Sequence, residues 1–201
     1  MVDRDNVTVI SQEDVNLLLP KSESIMHVGF KDSIGKRGID NSPIALAKNF
    51  TIQLILKPAD NQLESATVAS NFQHVDEMNK GFSIQQNKGV KGEYYFRFGN
   101  GKSILNSTFF HMADNVWNYV TIMMENNALK IFNNGELVSN NLFNDKPIIN
   151  SESTFMIGNS NQGNRRFAGL IKEIKIENKL ISAFEIQSTW KSISKSLLEK
   201  P

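Results

Sequence analysis

The run from Phe167 to Ile186, FAGLIKEIKIENKLISAFEI, constrains the fold more tightly than any other part of the chain. Apolar and charged residues alternate through it, an asparagine-centred turn follows, and Ser182-Ala183-Phe184-Glu185 has the form of a capping box. In such a box Ser182 accepts from the N–H of Glu185, and the Glu185 carboxylate accepts from the N–H of Ser182. A last strand leading through a tight turn into a capped helix is therefore expected. Within the strand the apolar step lengthens from two to three between Ile171 and Ile174 and returns to two at Ile176, which places a β-bulge at Lys172-Glu173. Beyond the cap, Ala183, Ile186, Trp190, Ile193 and Leu197 recur at helical spacing. They predict an amphipathic helix over 183–199 that lies against the strands through Trp190.

The remainder reads as short strands broken by Gly, Asn and Asp from Ile25 onward. Phe50, Ile52, Leu54 and Leu56 fall on one face of a strand that Pro58 ends, with Thr51, Gln53 and Lys57 opposite. Ala66–Asn71 and Gly81–Gln85 are two further strands around a polar loop, His74–Lys80. Tyr94, Phe96 and Phe98 alternate with Glu93, Tyr95 and Arg97. Trp117–Met124 is apolar on both faces, the mark of a strand covered on both sides. Asn133-Asn134-Gly135-Glu136 is a hairpin signal before Leu137-Val138, and Thr154–Gly158 is one more strand. Residues 1–24, with an apolar run at Val7–Ile10 and a cap at Ser11–Asp14, form an N-terminal extension or linker remnant. Residues 25–201 form the domain.

Bulk properties exclude several classes. A formal net charge of +1 over 201 residues gives no basic face for nucleic acid, because Lys36-Arg37 and Arg165-Arg166 are isolated pairs. With no cysteine there is no disulfide or thiolate site. No apolar run reaches the length of a membrane span, roughly 18 residues. The start after Met1 lacks a signal-peptide core. The expectation is a cytoplasmic protein if Met1 is the native start, and a secreted or cell-surface one if the domain is excised from a longer exported chain.

The closing run resembles the signature of laminin-G-like, concanavalin A-type jelly rolls. The Phe50–Pro58 strand, Gly81-Phe82-Ser83-Ile84, and Asp114-Asn115-Val116-Trp117 through Asn134-Gly135 are similar to that family's opening strand, middle strand and hairpin. The resemblance spans roughly Met26 to Ile186. It implies an all-β, two-sheet antiparallel jelly-roll sandwich with the C-terminal helix packed on it. Members of this fold bind sugars, bind proteins or accompany catalytic domains, and the family resemblance allows calcium. Here Lys172 and Asn134 stand where the family usually has Asp, so a calcium site of that type is not expected.

Catalytic chemistry finds little footing. The glucanase relatives use Glu-x-Asp-x-x-Glu, which sets acid and nucleophile on one strand face, and no Glu here has Asp two positions on. Glu13-Asp14 and Asp76-Glu77 are adjacent, so on a strand they point to opposite faces. His27, His74 and His111 are scattered without metal-ligand spacing. No Gly-x-Ser-x-Gly is present. What remains is binding, which for sugars needs aromatic faces and planar amide or guanidinium donors. Tyr95 and Arg97 stand on the non-core side of their strand, and loops supply Asn100, His111, Asn115, Asn161 and Arg165. The alternative for Tyr95 and Arg97 is a solvated sheet face with Glu93 as ion partner. Trp117 and Trp190 lie on apolar stripes and are assigned to the core. The sequence thus predicts a non-catalytic, lectin-like domain for a glycan or glycoconjugate, on a concave sheet face and its rim loops, without cofactor. The second reading is a protein-interaction or spacer module of a larger, glycan-processing chain, with other domains of that chain as partners.

Overall fold

The structure is a computed structural model that describes residues 24–29, 46–75, 78–149, 153, 155–160 and 165–198. The proposed extension over 1–24, apart from Ser24, lies outside the described residues, as do Lys36-Arg37, Asp76-Glu77, Thr154 and Asn161. Fourteen strands and one helix are described. In chain order they are β1 (Ser24–Gly29), β2 (Asn49–Pro58), β3 (Thr67–Ser70), β4 (Gln73–Val75), β5 (Met78–Lys80), β6 (Phe82–Gln86), β7 (Glu93–Gly99) and β8 (Ile104–Asn106). Then come β9 (Phe110–His111), β10 (Asn118–Glu125), β11 (Ala128–Asn133), β12 (Glu136–Leu142), β13 (Met156–Ile157), β14 (Gly169–Glu177) and α1 (Ala183–Leu198).

The first sheet has the order β1-β14-β2-β10-β11-β12, and the second β13-β3-β6-β7-β8 with β9 also paired to β7. Every strand pairing within them is antiparallel. The polar segment before Lys80, read as a loop, contains the small β4–β5 hairpin. Between the layers, Phe50, Ile52, Leu54, Val120, Ile122 and Ile174 of the first sheet meet Phe82, Ile84, Tyr94, Phe96 and Phe98 of the second, all fully or almost fully buried. Rings stack at the centre, with the Phe82 and Phe96 centroids 5.4 Å apart.

The β14 bulge falls at the predicted place, since the register with β2 slips between Ile171 and Glu173. The β11–β12 turn is the primed type expected of Asn-Gly, with φ of 52° at Asn134 and 85° at Gly135. The Asn134 side chain also accepts from the Tyr119 N–H at 2.8 Å. The capping box forms in full: Ser182 N–H donates to Glu185 Oε2 at 2.7 Å, and Glu185 N–H to Ser182 Oγ at 3.1 Å. The helix lies on the outer face of the first sheet, burying Ile186 and Ile193 against Ile55, Tyr119, Met123 and Phe132. Trp117, Trp190 and Leu197 pack at the margin of this cluster, whereas Ala183 at the first turn is exposed. No helix among the described residues is long and apolar enough to cross a membrane.

With one outer face covered by the helix, the other, that of the second sheet, carries polar side chains, of which Ser83, Gln85 and Tyr95 are buried and Arg97 is partly exposed.

Candidate functional site

Strand β7 is the axis of that face. Its inward residues Tyr94, Phe96 and Phe98 are fixed by the core, so period-two geometry turns Glu93, Tyr95 and Arg97 outward. Pairing then sets their neighbours: Ser83 and Asn106 lie beside Arg97, Gln85 beside Tyr95, and His111 beside Glu93. One strand further, Thr67 lies beside Gln85 and Ser70 beside Ser83.

The floor of this face is a hydrogen-bonded ladder. Ser83 Oγ donates to Gln85 Oε1 at 3.1 Å, and Gln85 Nε2 donates to the Tyr95 hydroxyl oxygen. Arg97 Nη2 donates to the same oxygen at 2.9 Å, and Arg97 Nε to Asn106 Oδ1 at 3.2 Å. The Tyr95 oxygen therefore accepts twice. Arg97 uses two of the five N–H groups of a guanidinium in these bonds. Its Cζ lies 5.3 Å from the Tyr95 ring centroid, a cation–π distance. Glu93 is not its ion partner, for the Glu93 carboxylate accepts from Asn87 Nδ2 at 3.0 Å.

The Tyr95 ring is only 6% exposed and offers no stacking surface. Phe109 does: it is 52% exposed and meets Tyr95 edge-on at 5.6 Å and 80°. The sequence carried the signal in Phe109-Phe110, because two consecutive aromatic residues in extended chain point opposite ways. Phe110 enters the core, so Phe109 must face out.

The other predicted residues divide. His111 is exposed on the same face opposite Glu93. Arg165 flanks its β3 edge, where its carbonyl accepts from Thr67 N–H at 2.8 Å. Asn100 is spent on its own turn, with Oδ1 accepting from Lys102 and Ser103 N–H and Nδ2 donating to Asp145. Asn115 sits at φ 59°, with its N–H on the Pro58 carbonyl of the first sheet, away from this face. At the family's acidic positions, the Lys172 ammonium lies 5.9 Å over the Trp117 ring, and the Asn134 oxygen holds the Tyr119 amide. Neither offers calcium a carboxylate. No cluster of three or more His, Asp or Glu suited to a metal occurs among the described residues.

Residues 37–187 match the family model of the concanavalin A-like lectin/glucanases superfamily. The chain belongs to that superfamily. No curated protein sequence matches significantly. Among solved structures, this superfamily member is similar to the Ruminococcus gnavus IT-sialidase CBM40 bound to α2,3-sialyllactose, at 19% identity and a TM-score of 0.62, over 82% of this chain and 98% of that one. It is also similar to domain 4 of an extracellular arabinanase from Geobacillus stearothermophilus, in complex with arabinotriose, at 17% identity and a TM-score of 0.57, over 83% and 84% of the two chains. The binding domain of botulinum neurotoxin serotype G is similar at 17% identity and a TM-score of 0.56, over 85% of this chain and 40% of that one. At such identities the likeness is one of fold.

Proposed function

We propose that this domain is a non-catalytic glycan-binding module that reads its ligand on the outer face of the second sheet. The observation that carries the reading is the juxtaposition of an exposed aromatic ring, Phe109, with the Arg97 guanidinium, which Tyr95 and Asn106 hold in place. A sugar ring needs such a pair: an apolar surface for its C–H face and fixed donors for its oxygens. The similar domains with sialyllactose and arabinotriose in their structures support a saccharide over a peptide. Among the described residues Glu93 is the one carboxylate of the face, and it is bonded to Asn87, so no acid–nucleophile pair flanks a scissile position. Arg97 as the central cation favours an acidic sugar, and no metal is assigned to the site.

The test is a glycan array carrying neutral and sialylated oligosaccharides, followed by titration of hits against Arg97→Ala and Phe109→Ala. Each substitution should weaken binding at least about tenfold, the cost of one charge-assisted hydrogen bond or one stacked ring at roughly 1.4 kcal/mol. Both variants should unfold close to wild type, since Phe109 is 52% exposed and Arg97 is only partly buried. Wild-type protein that binds no glycan would leave the interaction or spacer role instead. Binding that survives both changes would move the site off this face.

A further inference from the structure

We propose a second binding site, independent of the glycan face, at the open end of the sandwich between the start of β2 and the end of β10, and that it takes a small amphipathic carboxylate. A cavity of about 480 Å³ opens there, within the range of roughly 300–1,000 Å³ found for small-molecule sites. Its walls are apolar: Leu46, Met124 and Ile149 line it, with 7%, 0% and 6% of their surfaces exposed, beside half-open Ile148. At this end the segment carrying Ile148 bonds to the second sheet. Ile148 N–H donates to the Gly99 carbonyl at 2.7 Å, and Gly81 N–H donates to the Ile148 carbonyl at 2.8 Å.

Charge decides the occupant. Lys48 and Lys146 stand exposed among the lining residues, no carboxylate is among the described residues that line the cavity, and no ion pair joins either lysine to a described residue. Asp145, next in sequence to Lys146, is drawn aside by Asn100, whose Nδ2 donates to Asp145 Oδ2 at 3.0 Å. That contact gives Asn100 a role the glycan reading did not supply. A sugar is disfavoured here, since Phe50 is the one aromatic among the described lining residues and it is fully buried, so it offers no ring to stack on. An acyl chain has the apolar wall to enter and two ammonium groups to hold its carboxylate at the mouth.

The probe is sodium decanoate, titrated into protein carrying ¹³C-methyl methionine, with the Met124 resonance assigned through Met124→Leu. Decanoate should shift the Met124 methyl saturably. Decyltrimethylammonium, of equal chain length and opposite charge, should bind at least tenfold more weakly. Lys48→Gln/Lys146→Gln should weaken decanoate at least tenfold while leaving neutral decanol unchanged, and Arg97→Ala should leave decanoate binding intact. A Met124 methyl that does not respond, equal binding of the cationic analogue, or indifference to the double lysine change would overturn the assignment. Since the glycan array reads Arg97 and this titration reads Lys48 and Lys146, failure of one reading is distinct from failure of the other.

Discussion

The most exacting test of the packing concerns charge beneath the outer face of the first sheet. Glu173, Lys175 and Glu177 project from the same side of β14, and each is 1% exposed. Lys175 Nζ lies 2.9 Å from Glu177 Oε1, Lys179 Nζ lies 3.4 Å from the same oxygen, and Gln53 Nε2 donates to Glu177 Oε2 at 3.0 Å. Gln53 in turn accepts from the Tyr119 hydroxyl. At 2.9 Å the Coulomb attraction of the pair is about 6 kcal/mol for an effective dielectric of 20. Desolvation costs several kcal/mol for each ion, so the pair as a whole contributes little net stability. Removing one partner is different, because the other charge stays buried, at a cost of about 3–5 kcal/mol.

The two partners are not equivalent. Glu177 keeps Lys179 and Gln53 when Lys175 is lost, whereas Lys175 loses its ion pair when Glu177 is neutralised. Glu177→Gln preserves an oxygen for Gln53 and isolates the loss of charge, so it should be the worst variant, melting about 10 °C low at roughly 2–4 °C per kcal/mol for a chain of this size. Lys175→Met should cost less. Lys175→Met/Glu177→Gln should recover most of the loss, giving a coupling energy of about 2 kcal/mol or more. Urea unfolding followed by the fluorescence of Trp117 and Trp190, both at the helix–sheet margin, measures all four corners. Single variants that each cost under about 1 kcal/mol, or a double variant equal to the sum of the singles, would refute a buried, mutually dependent pair.

Further outcomes follow from local geometry. Ser182→Ala should remove about 1 kcal/mol of stability by deleting the cap, read by urea unfolding at neutral pH. Hydrogen bonds from the Ser182 backbone and hydroxyl hold the Glu185 carboxyl below the usual glutamate range. Its contribution is therefore present above about pH 4.3 and lost as pH falls through the lower folded value; Glu185→Gln should destabilise at neutral pH and be silent in strong acid. Burial, reinforced by the Glu173 and Glu177 carboxylates, pushes the Tyr119 phenol up to about 12 against hydrogen bonds that lower it, and burial likewise raises Tyr94, with Asp114 adding to it. Stability should hold below the ordinary tyrosine value of about 10 and fall as pH rises beyond it. Phenolate absorbance of these two residues should accordingly appear together with the loss of β-sheet circular dichroism. At Gly99 an added Cβ would lie 1.9 Å from the Asn79 carbonyl oxygen. Gly99→Ala should then cost more than about 4 kcal/mol, seen as loss of soluble folded protein on expression.

What the sequence revealed, and what it hid, divides along the range of the interaction. The capping box, the β14 bulge and the Asn134-Gly135 turn depend on a few neighbouring residues, and each was readable from them. The orientation of Tyr95 and Arg97 was readable for the same reason, since alternation with Tyr94, Phe96 and Phe98 fixes it whatever the tertiary fold. Loop residues were not readable in this way. Asn100 and Asn115 have the amide chemistry a sugar needs, but whether a side chain is available depends on the backbone it serves: one oxygen is consumed within its own turn, and the other residue sits at positive φ against Pro58. The alternation in β14 concealed more still. Period two set Glu173, Lys175 and Glu177 apart from the apolar side of their strand, but no pattern along a single strand shows that Gln53 and Tyr119 on neighbouring strands provide a polar setting for burial. A charged stripe on a strand is therefore evidence of which face it occupies, and not of whether that face meets water. In this protein, the polar outer face that remains partly open belongs to the other sheet, around Arg97 and Phe109.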